Sequence, residues 1–151
     1  MRIFKTRYFA KWMRRSELTD EALIQAVTEM HQGLIDADLG CGLVKKRIGI
    51  AGRGKRGGVR TLVATNKDDR WFFVYGFEKN VVDNISHKAV AGLQDLASDL
   101  LSFDDIVFQI NNFQAPWLDE LANYSKILTH FLHNANNFTR ILHIRFERLY
   151  D

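Results

Sequence analysis

Apolar residues recur every three or four positions in three stretches of the chain, and this spacing predicts three α-helices. The first two, YFAKWM and LTDEALIQAVTEMH, predict a helical hairpin, and Thr19 or Asp20 is expected to cap the second helix. Ser86 is expected to cap the third, which runs to about residue 101. The apolar faces expected to pack are Tyr8, Phe9, Trp12 and Met13, then Leu23, Ala26, Val27 and Met30, then Ala89, Val90, Leu93, Leu96, Ala97, Leu100 and Leu101.

Four further segments have the character of strands. RIFKTR opens the chain, and LVKKRIGI, VRTLVATN and RWFFVYGF follow one another between the second and third helices. The period of two puts Lys45 and Arg47 on one face of LVKKRIGI and Lys46 on the other. RWFFVYGF is apolar almost throughout, which predicts a central strand covered on both faces. The predicted order is β-αα-βββ-α, an α+β fold with a small antiparallel sheet.

The pattern changes after Phe103. The remaining residues are rich in Asn, include the only proline, Pro116, and have a weaker helical period. One helix is expected from Pro116 to about residue 133, and a second from about Phe138. We therefore predict a domain of residues 1–102. Residues 103–151 are predicted to form a helical C-terminal extension. The alternative is that a tail helix docks on the open face of the sheet and blocks it.

Composition and charge narrow the possible classes of protein. The 151 residues are 46% hydrophobic and 26% charged, which is typical of one globular domain. The single cysteine, Cys41, excludes an internal disulfide, and no apolar run reaches the ~18 residues of a membrane span. We therefore expect a cytoplasmic protein without a membrane partner. The net charge is +7 over residues 1–80 and −4 over residues 81–151, which favours a polyanionic partner for the front of the chain.

The segment GIAGRGKRGGVRTLVA, residues 49–64, concentrates that charge, with four cations among five glycines. Gly49, Gly54 and Lys55 match the skeleton of a nucleotide phosphate loop. However, Arg56 stands where a Ser or Thr is required, and the residues that follow predict a strand instead of a helix. Two interpretations remain for this segment, a solvated hairpin loop and a polyanion site, and the charge asymmetry favours the second.

Several blocks of this sequence resemble the RelE-like toxins of bacterial toxin–antitoxin systems, and most closely the group related to the RelE and HigB toxins. The blocks are IFKTRYFAKW, LTDEAL, GLIDADLG, VKKRI, GRGKRGGVRTL and FFVYGFEKN, in that order. The resemblance covers about residues 1–102, and the tail does not share it. It implies a RelE-like fold, in which helices wrap one side of an antiparallel sheet and the exposed concave face is cationic. It also implies cleavage of mRNA, commonly on the ribosome, and silencing by a cognate antitoxin.

Metal-free cleavage of RNA requires a base for the 2′-hydroxyl, cations for the phosphate and an acid for the leaving oxygen. Lysine and arginine on a rigid sheet can supply all three. From the resemblance, Arg60 is expected to grip the phosphate, and Lys45 and Arg47 lie on the strand that carries the base-type cations. Lys79 is the candidate acid or phosphate clamp. The candidate catalytic residues are Lys45, Arg47, Arg60 and Lys79, and the candidate RNA-binding residues are Lys46, Arg53, Lys55, Arg56 and Tyr75.

For Tyr75 a core position is favoured over base stacking, and Lys79 is equally compatible with an ordinary charge at the end of a strand. His130, His133 and His143 have no Cys or acid in register, so we predict neither a metal site nor a cofactor. Two other functions remain open: a ParE-type inhibitor of DNA gyrase, since those toxins share the fold, and an inactive RNA-binding relative. The antitoxin is expected to present acidic residues to Lys45, Arg47 and Arg60.

Overall fold

Nine helices and strands make up the part of the chain that the computed structural model describes, residues 1–79, 85–102 and 146–150. The predicted order β-αα-βββ-α is confirmed, with a short extra strand before the predicted strand LVKKRIGI and another at residues 146–150. In chain order the elements are β1 (Arg2–Thr6), α1 (Arg7–Met13), α2 (Asp20–His31), β2 (Ala37–Asp38), β3 (Leu43–Ile50), β4 (Gly54–Thr65), β5 (Arg70–Glu78), α3 (His87–Ser102) and β6 (Phe146–Tyr150).

All of these strands join one sheet in the order β2-β3-β4-β5-β1-β6. Neighbouring strands are antiparallel except β1 and β5, which run parallel with Phe4 opposite Phe72. The predicted antiparallel sheet is therefore confirmed, with one parallel pair that the sequence analysis did not anticipate. That pair arises because the long path from β1 to β5 returns the chain in the same direction. β5 is central and buried on both faces from Trp71 to Val74, as predicted.

The helices begin and pack largely as their apolar periods predict. Thr19 caps α2, its hydroxyl accepting a hydrogen bond from the amide of Ala22 at 3.2 Å. Ser86 accepts one in the same way from the amide of Ala89 at 3.2 Å, at the start of α3. The predicted face of α2 is fully buried. Tyr8 of α1 and Ala89 of α3 are exposed, so the predictions that they pack in the core are wrong.

Two hydrophobic cores lie on opposite faces of the sheet. The larger one joins the α1–α2 hairpin to the face that carries Val44, Ile48 and Phe73. The smaller one joins α3 to the other face through Leu43, Phe72 and their neighbours. Since α3 packs over the Leu43 end of β3, the far end of this second face, beyond Leu62, has no helix over it in the described part of the chain.

Residues 146–150 correct the description of the tail. They form β6, which pairs antiparallel with β1, where the sequence predicts a helical extension. Because β6 extends the same sheet, this strand is built into the fold and not appended to it. The rest of the tail, with the helices predicted from Pro116 and Phe138, lies outside the described residues. The boundary at residue 102 stays a prediction.

Candidate functional site

A tight turn joins β3 to β4 where the sequence predicts a longer glycine loop. The amide of Arg53 donates to the carbonyl oxygen of Ile50 at 3.0 Å, and Gly52 has a φ of +82°. A positive φ at the third residue is the requirement of a type II turn. β4 begins at Gly54, so Lys55 is followed by a strand and not by the helix that a nucleotide phosphate loop requires. Of the cations that follow the turn, Arg60 is held in the β3–β4 ladder, opposite Arg47.

The register of β3, β4 and β5 assembles two rows of side chains on the face that α3 leaves open. In the first row Arg47 lies opposite Arg60, and Arg60 lies opposite Phe77. In the second row Lys45 lies opposite Leu62, and Leu62 lies opposite Tyr75. Directly opposed residues of an antiparallel pair project from the same face, with Cβ atoms about 5 Å apart. The cationic face, defined here as Lys45, Arg47 and Arg60, thus brings three of the candidate catalytic residues together.

Within the described part of the chain, no ion pair neutralises the side chains of the cationic face, and the carboxylate of Asp36 accepts a hydrogen bond only from the backbone amide of Arg47, at 2.6 Å. Lys45 and Arg60 are half-buried and Arg47 is exposed, and none of the three side chains forms an ion pair with any residue in the described part of the chain. Like charges directly opposite each other destabilise a sheet. Two opposed arginines without a counter-ion therefore leave the fold with an unfavourable interaction that a bound anion would relieve.

A β-bulge determines which side chains complete this face. The β4–β5 register shifts between Leu62 and Val63, so Val74 is an extra residue in β5. By strict alternation Tyr75 would share the face of Phe73, in the core beneath the helical hairpin. The bulge moves Tyr75 to the opposite face, beside the cations. Gly76 then faces the hairpin, where a Cβ would lie 2.2 Å from the ring of Trp12.

The ring of Tyr75 lies between the core and the surface. It stacks on Tyr8, with ring centroids 5.9 Å apart and an interplanar angle of 10°. Burial, and to a smaller degree the nearby Tyr8, raises the pKa of the Tyr75 phenol. The hydroxyl therefore stays protonated at neutral pH and can donate a hydrogen bond. Tyr75 therefore packs partly in the core and is partly exposed, and its role in RNA binding stays a prediction.

Lys46 does not belong to this face, and its predicted role in RNA binding is corrected. Its ammonium group lies 2.7 Å from the carboxylate of Glu29 in α2 and donates to the carbonyl oxygen of Leu34 at 2.8 Å. Only 5% of the residue is exposed. The alternation of β3 turns this side chain towards the helical hairpin, so it serves the core and cannot reach a ligand on the other face.

The remaining candidate residues lie at the margins of the cationic face. Arg53, in the turn, reaches the carboxylate of Glu17 at 3.4 Å, and both side chains are more than half exposed, so this ion pair contributes little. Arg56 is exposed, and Lys55 lies in β4. Lys79 is exposed directly after β5, two residues beyond Phe77. Sequence reasoning missed Tyr8, because helical spacing alone assigned it to the core.

Neither a metal site nor a membrane span is found among the described residues. No three His, Cys, Asp or Glu side chains there come close enough to hold a metal ion. His130, His133 and His143 lie outside those residues. No helix there is long and apolar enough to cross a membrane.

Comparison with known proteins adds one match. Residues 1–114 match the family model described as the RelE toxin of the RelE/RelB toxin–antitoxin system. No curated protein matches the chain. The matched range contains β1 to α3, and with them every residue of the cationic face.

Proposed function

This chain belongs to the RelE toxin family and has a cognate antitoxin, and from that premise we propose that it is an endoribonuclease that cleaves mRNA on the ribosome. One observation carries the proposal. Arg47 and Arg60 oppose each other across β3 and β4, beside Lys45, without a counter-ion among the described residues. Such a site fits the phosphodiester of RNA, whose charge increases during cleavage.

The proposed chemistry needs no metal ion. Lys45, as the neutral amine, accepts the proton of a ribose 2′-hydroxyl and becomes the ammonium ion, and the 2′ oxygen attacks the adjacent phosphorus. The bond from phosphorus to the 5′ oxygen breaks, which leaves a 2′,3′-cyclic phosphate on one product and a 5′-hydroxyl on the other. Lys79 donates the proton that the 5′ oxygen takes up. A positioned acid or base typically contributes about 10²–10⁴ in rate.

Arg47 and Arg60 have a separate task in this proposal. They are held by paired strands, so their guanidinium groups are already placed where negative charge develops on the phosphate. A preorganised donor of this kind is typically worth about 10²–10³ in rate. Arg60 is the more constrained of the two, being half-buried between Arg47 and Phe77. We assign the larger share of phosphate binding to it.

The first prediction is that Arg60→Ala lowers mRNA cleavage by about 10²-fold or more while the protein stays folded. Cleavage is measured by mapping mRNA 5′ ends after incubation with translating ribosomes and, separately, with free mRNA. Arg15→Ala is the matched control, because it removes an equally charged, exposed side chain at the end of α1. It is expected to cleave like the unmodified chain.

Two results would overturn the proposal. One is cleavage by a folded Arg60→Ala variant at the rate of the Arg15→Ala control. The other is inhibition of DNA gyrase by the unmodified chain without any new mRNA 5′ ends, which would indicate a ParE-type function. Where free mRNA is also cut, addition of EDTA to that reaction tests the metal-independent chemistry, since cleavage should persist.

A further inference from the structure

We infer that Tyr8 and Tyr75 form a stacking platform for one nucleobase of the RNA, beside the cationic face, and that this platform sets base preference near the cut. The inference rests on the proposed function and extends it from phosphate binding to recognition of a base. The sequence predicts Tyr8 in the core, whereas its ring is exposed in the structure, and the inference accounts for this exposure.

Tyr8 is the most exposed of the large apolar side chains in the described part of the chain, at 62%. It lies in the first turn of α1, immediately after β1 ends, so beyond Phe73 no described strand flanks β5 on the α1 side. Its ring lies almost parallel to that of Tyr75 at a centroid separation of 5.9 Å. At that separation parallel rings are offset, which leaves aromatic surface uncovered on both.

A groove of about 280 Å³ lies beside these two rings. Its floor is Val74, the bulged residue of β5, and its far wall is formed by Leu93 and Leu96 of α3. Thr6 and Arg7 stand at the β1–α1 junction and supply the polar part of the lining. An apolar slot that contains two aromatic rings and has Arg7 in its lining suits a planar base attached to a phosphate.

The platform is connected to the cationic face by the sheet itself. Tyr75 is opposite Leu62, and Leu62 is opposite Lys45, so two interstrand spacings, about 10 Å, separate Tyr75 from Lys45. Arg60 lies two residues from Leu62 on the same face of β4. A short single strand gripped by Arg60 can therefore place a neighbouring base on the tyrosines without bending the protein.

The alternative occupant is an apolar side chain of a protein partner. The stacked rings and the adjoining cations favour RNA, because base stacking uses an aromatic face and a backbone cation together. A protein side chain would need only the apolar lining.

The test uses the full-length chain and a short oligonucleotide that carries 2-aminopurine and 2′-O-methyl groups, which block cleavage. Stacking of 2-aminopurine on tyrosine quenches its fluorescence. Tyr8→Ala is expected to reduce the quench and to weaken binding by roughly 5- to 100-fold. Tyr8→Phe is expected to retain both, since the ring and not the hydroxyl does the stacking. Leu34→Ala, which removes another exposed apolar side chain, is the control.

The outcomes separate this inference from the proposed function. Loss of quench in Tyr8→Ala but not in Tyr8→Phe or Leu34→Ala supports the platform, even if the unmodified chain does not cleave RNA. Unchanged binding and unchanged base preference at the cut in a folded Tyr8→Ala variant, with cleavage intact, overturn the platform and leave the proposed function standing. That result would assign the groove to a protein partner.

Discussion

Lys45 and Lys46 are neighbours in β3 whose side chains lie in opposite environments. Lys45 is on the cationic face without an ion pair to any described residue, whereas Lys46 is buried against Glu29. One lysine thus lies on the cationic face, and the next lies in the core. The difference comes only from the alternation of the strand.

We expect the two lysines to respond oppositely to the same substitution. Lys46→Met removes the cation beside Glu29 and the donor to Leu34, which should cost about 1–3 kcal/mol in the free energy of unfolding. Lys45→Met should change stability by less than about 0.5 kcal/mol and lower cleavage by about 10²-fold or more. Urea unfolding and a cleavage assay on each variant provide the measurement. If Lys46→Met lost cleavage without losing stability, the assignment of the two faces would be wrong.

The sequence could predict the faces of Lys45 and Lys46, because period two is local information. It could not predict the position of Tyr75. A single extra residue, Val74, reverses the facing of every side chain that follows it in β5, and nothing in RWFFVYGF marks where the bulge falls. The catalytic and RNA-binding roles of these residues remain predictions.

At the scale of elements, the side chain of Asn66 makes several of the hydrogen bonds in the turn between β4 and β5. The carbonyl oxygen of Asn66 accepts hydrogen bonds from the amides of Asp68, Asp69 and Arg70, each at 3.1 Å. Its amide group donates to the carboxylate of Asp69 at 2.7 Å. That hydrogen bond, and a second from Arg2, hold the pKa of Asp69 below its ordinary value.

This lowered pKa fixes the sign of a pH dependence. A carboxyl group with a lower pKa in the folded state stabilises the fold above its unfolded pKa of about 4. The stabilisation is lost as the pH falls through the folded value. We therefore expect Asp69→Asn to lower the free energy of unfolding at pH 7. Below about pH 4, the free energy of unfolding of this variant should decrease less with falling pH than that of the unmodified chain.

Urea unfolding between pH 2 and pH 7 measures this effect. Asp68→Asn is the control, because it removes the same charge from the same turn, and the Asp68 side chain makes no ion pair with any described residue. Parallel pH profiles for the two variants would contradict the role given to Asp69.

The helices and long strands could be predicted from sequence because each carries its own period and caps, as Thr19 and Ser86 show. The two-residue β2 could not, since Ala37 and Asp38 are too few to establish a period. Its strand character comes from pairing with Lys45 and Val44 of β3. Tertiary pairing, and not local preference, therefore defines this edge of the sheet.

At the scale of the whole molecule, the asymmetric charge should govern association with RNA. Residues 1–80 carry a net +7, and the cationic face lies within them. Each phosphate neutralised on a single strand adds about −0.7 to the slope of log affinity against log salt. Three contacts by Lys45, Arg47 and Arg60 should give a slope of about −2.

We expect Arg60→Ala to reduce the magnitude of that slope by about 0.7, and Lys46→Met to leave it unchanged. Fluorescence titrations with the uncleavable oligonucleotide at several salt concentrations measure both slopes. A slope that is flat in the unmodified chain would show that the cationic face does not meet the RNA backbone.

The parallel pairing of β1 with β5 and the addition of β6 lay beyond sequence reasoning. Both join residues far apart in the chain, and a period read along one segment holds no information on its distant partner. The match to the RelE family, by contrast, comes from the sequence of residues 1–114 and requires no information on which strands pair.

The pairing of β1 with β6 has a consequence for the order of folding. These strands are residues 2–6 and 146–150, so nearly the whole sequence lies in the loop that their contact closes. Closing so long a loop is entropically costly, and contacts of high sequence separation form slowly. During synthesis the amino-terminal strand leaves the ribosome early and its outer edge then stays unpaired until the last strand emerges. In that interval the backbone amides at the edge of β1 can pair with another extended segment. Pairing of β1 with a strand of another chain therefore competes with its pairing with β6.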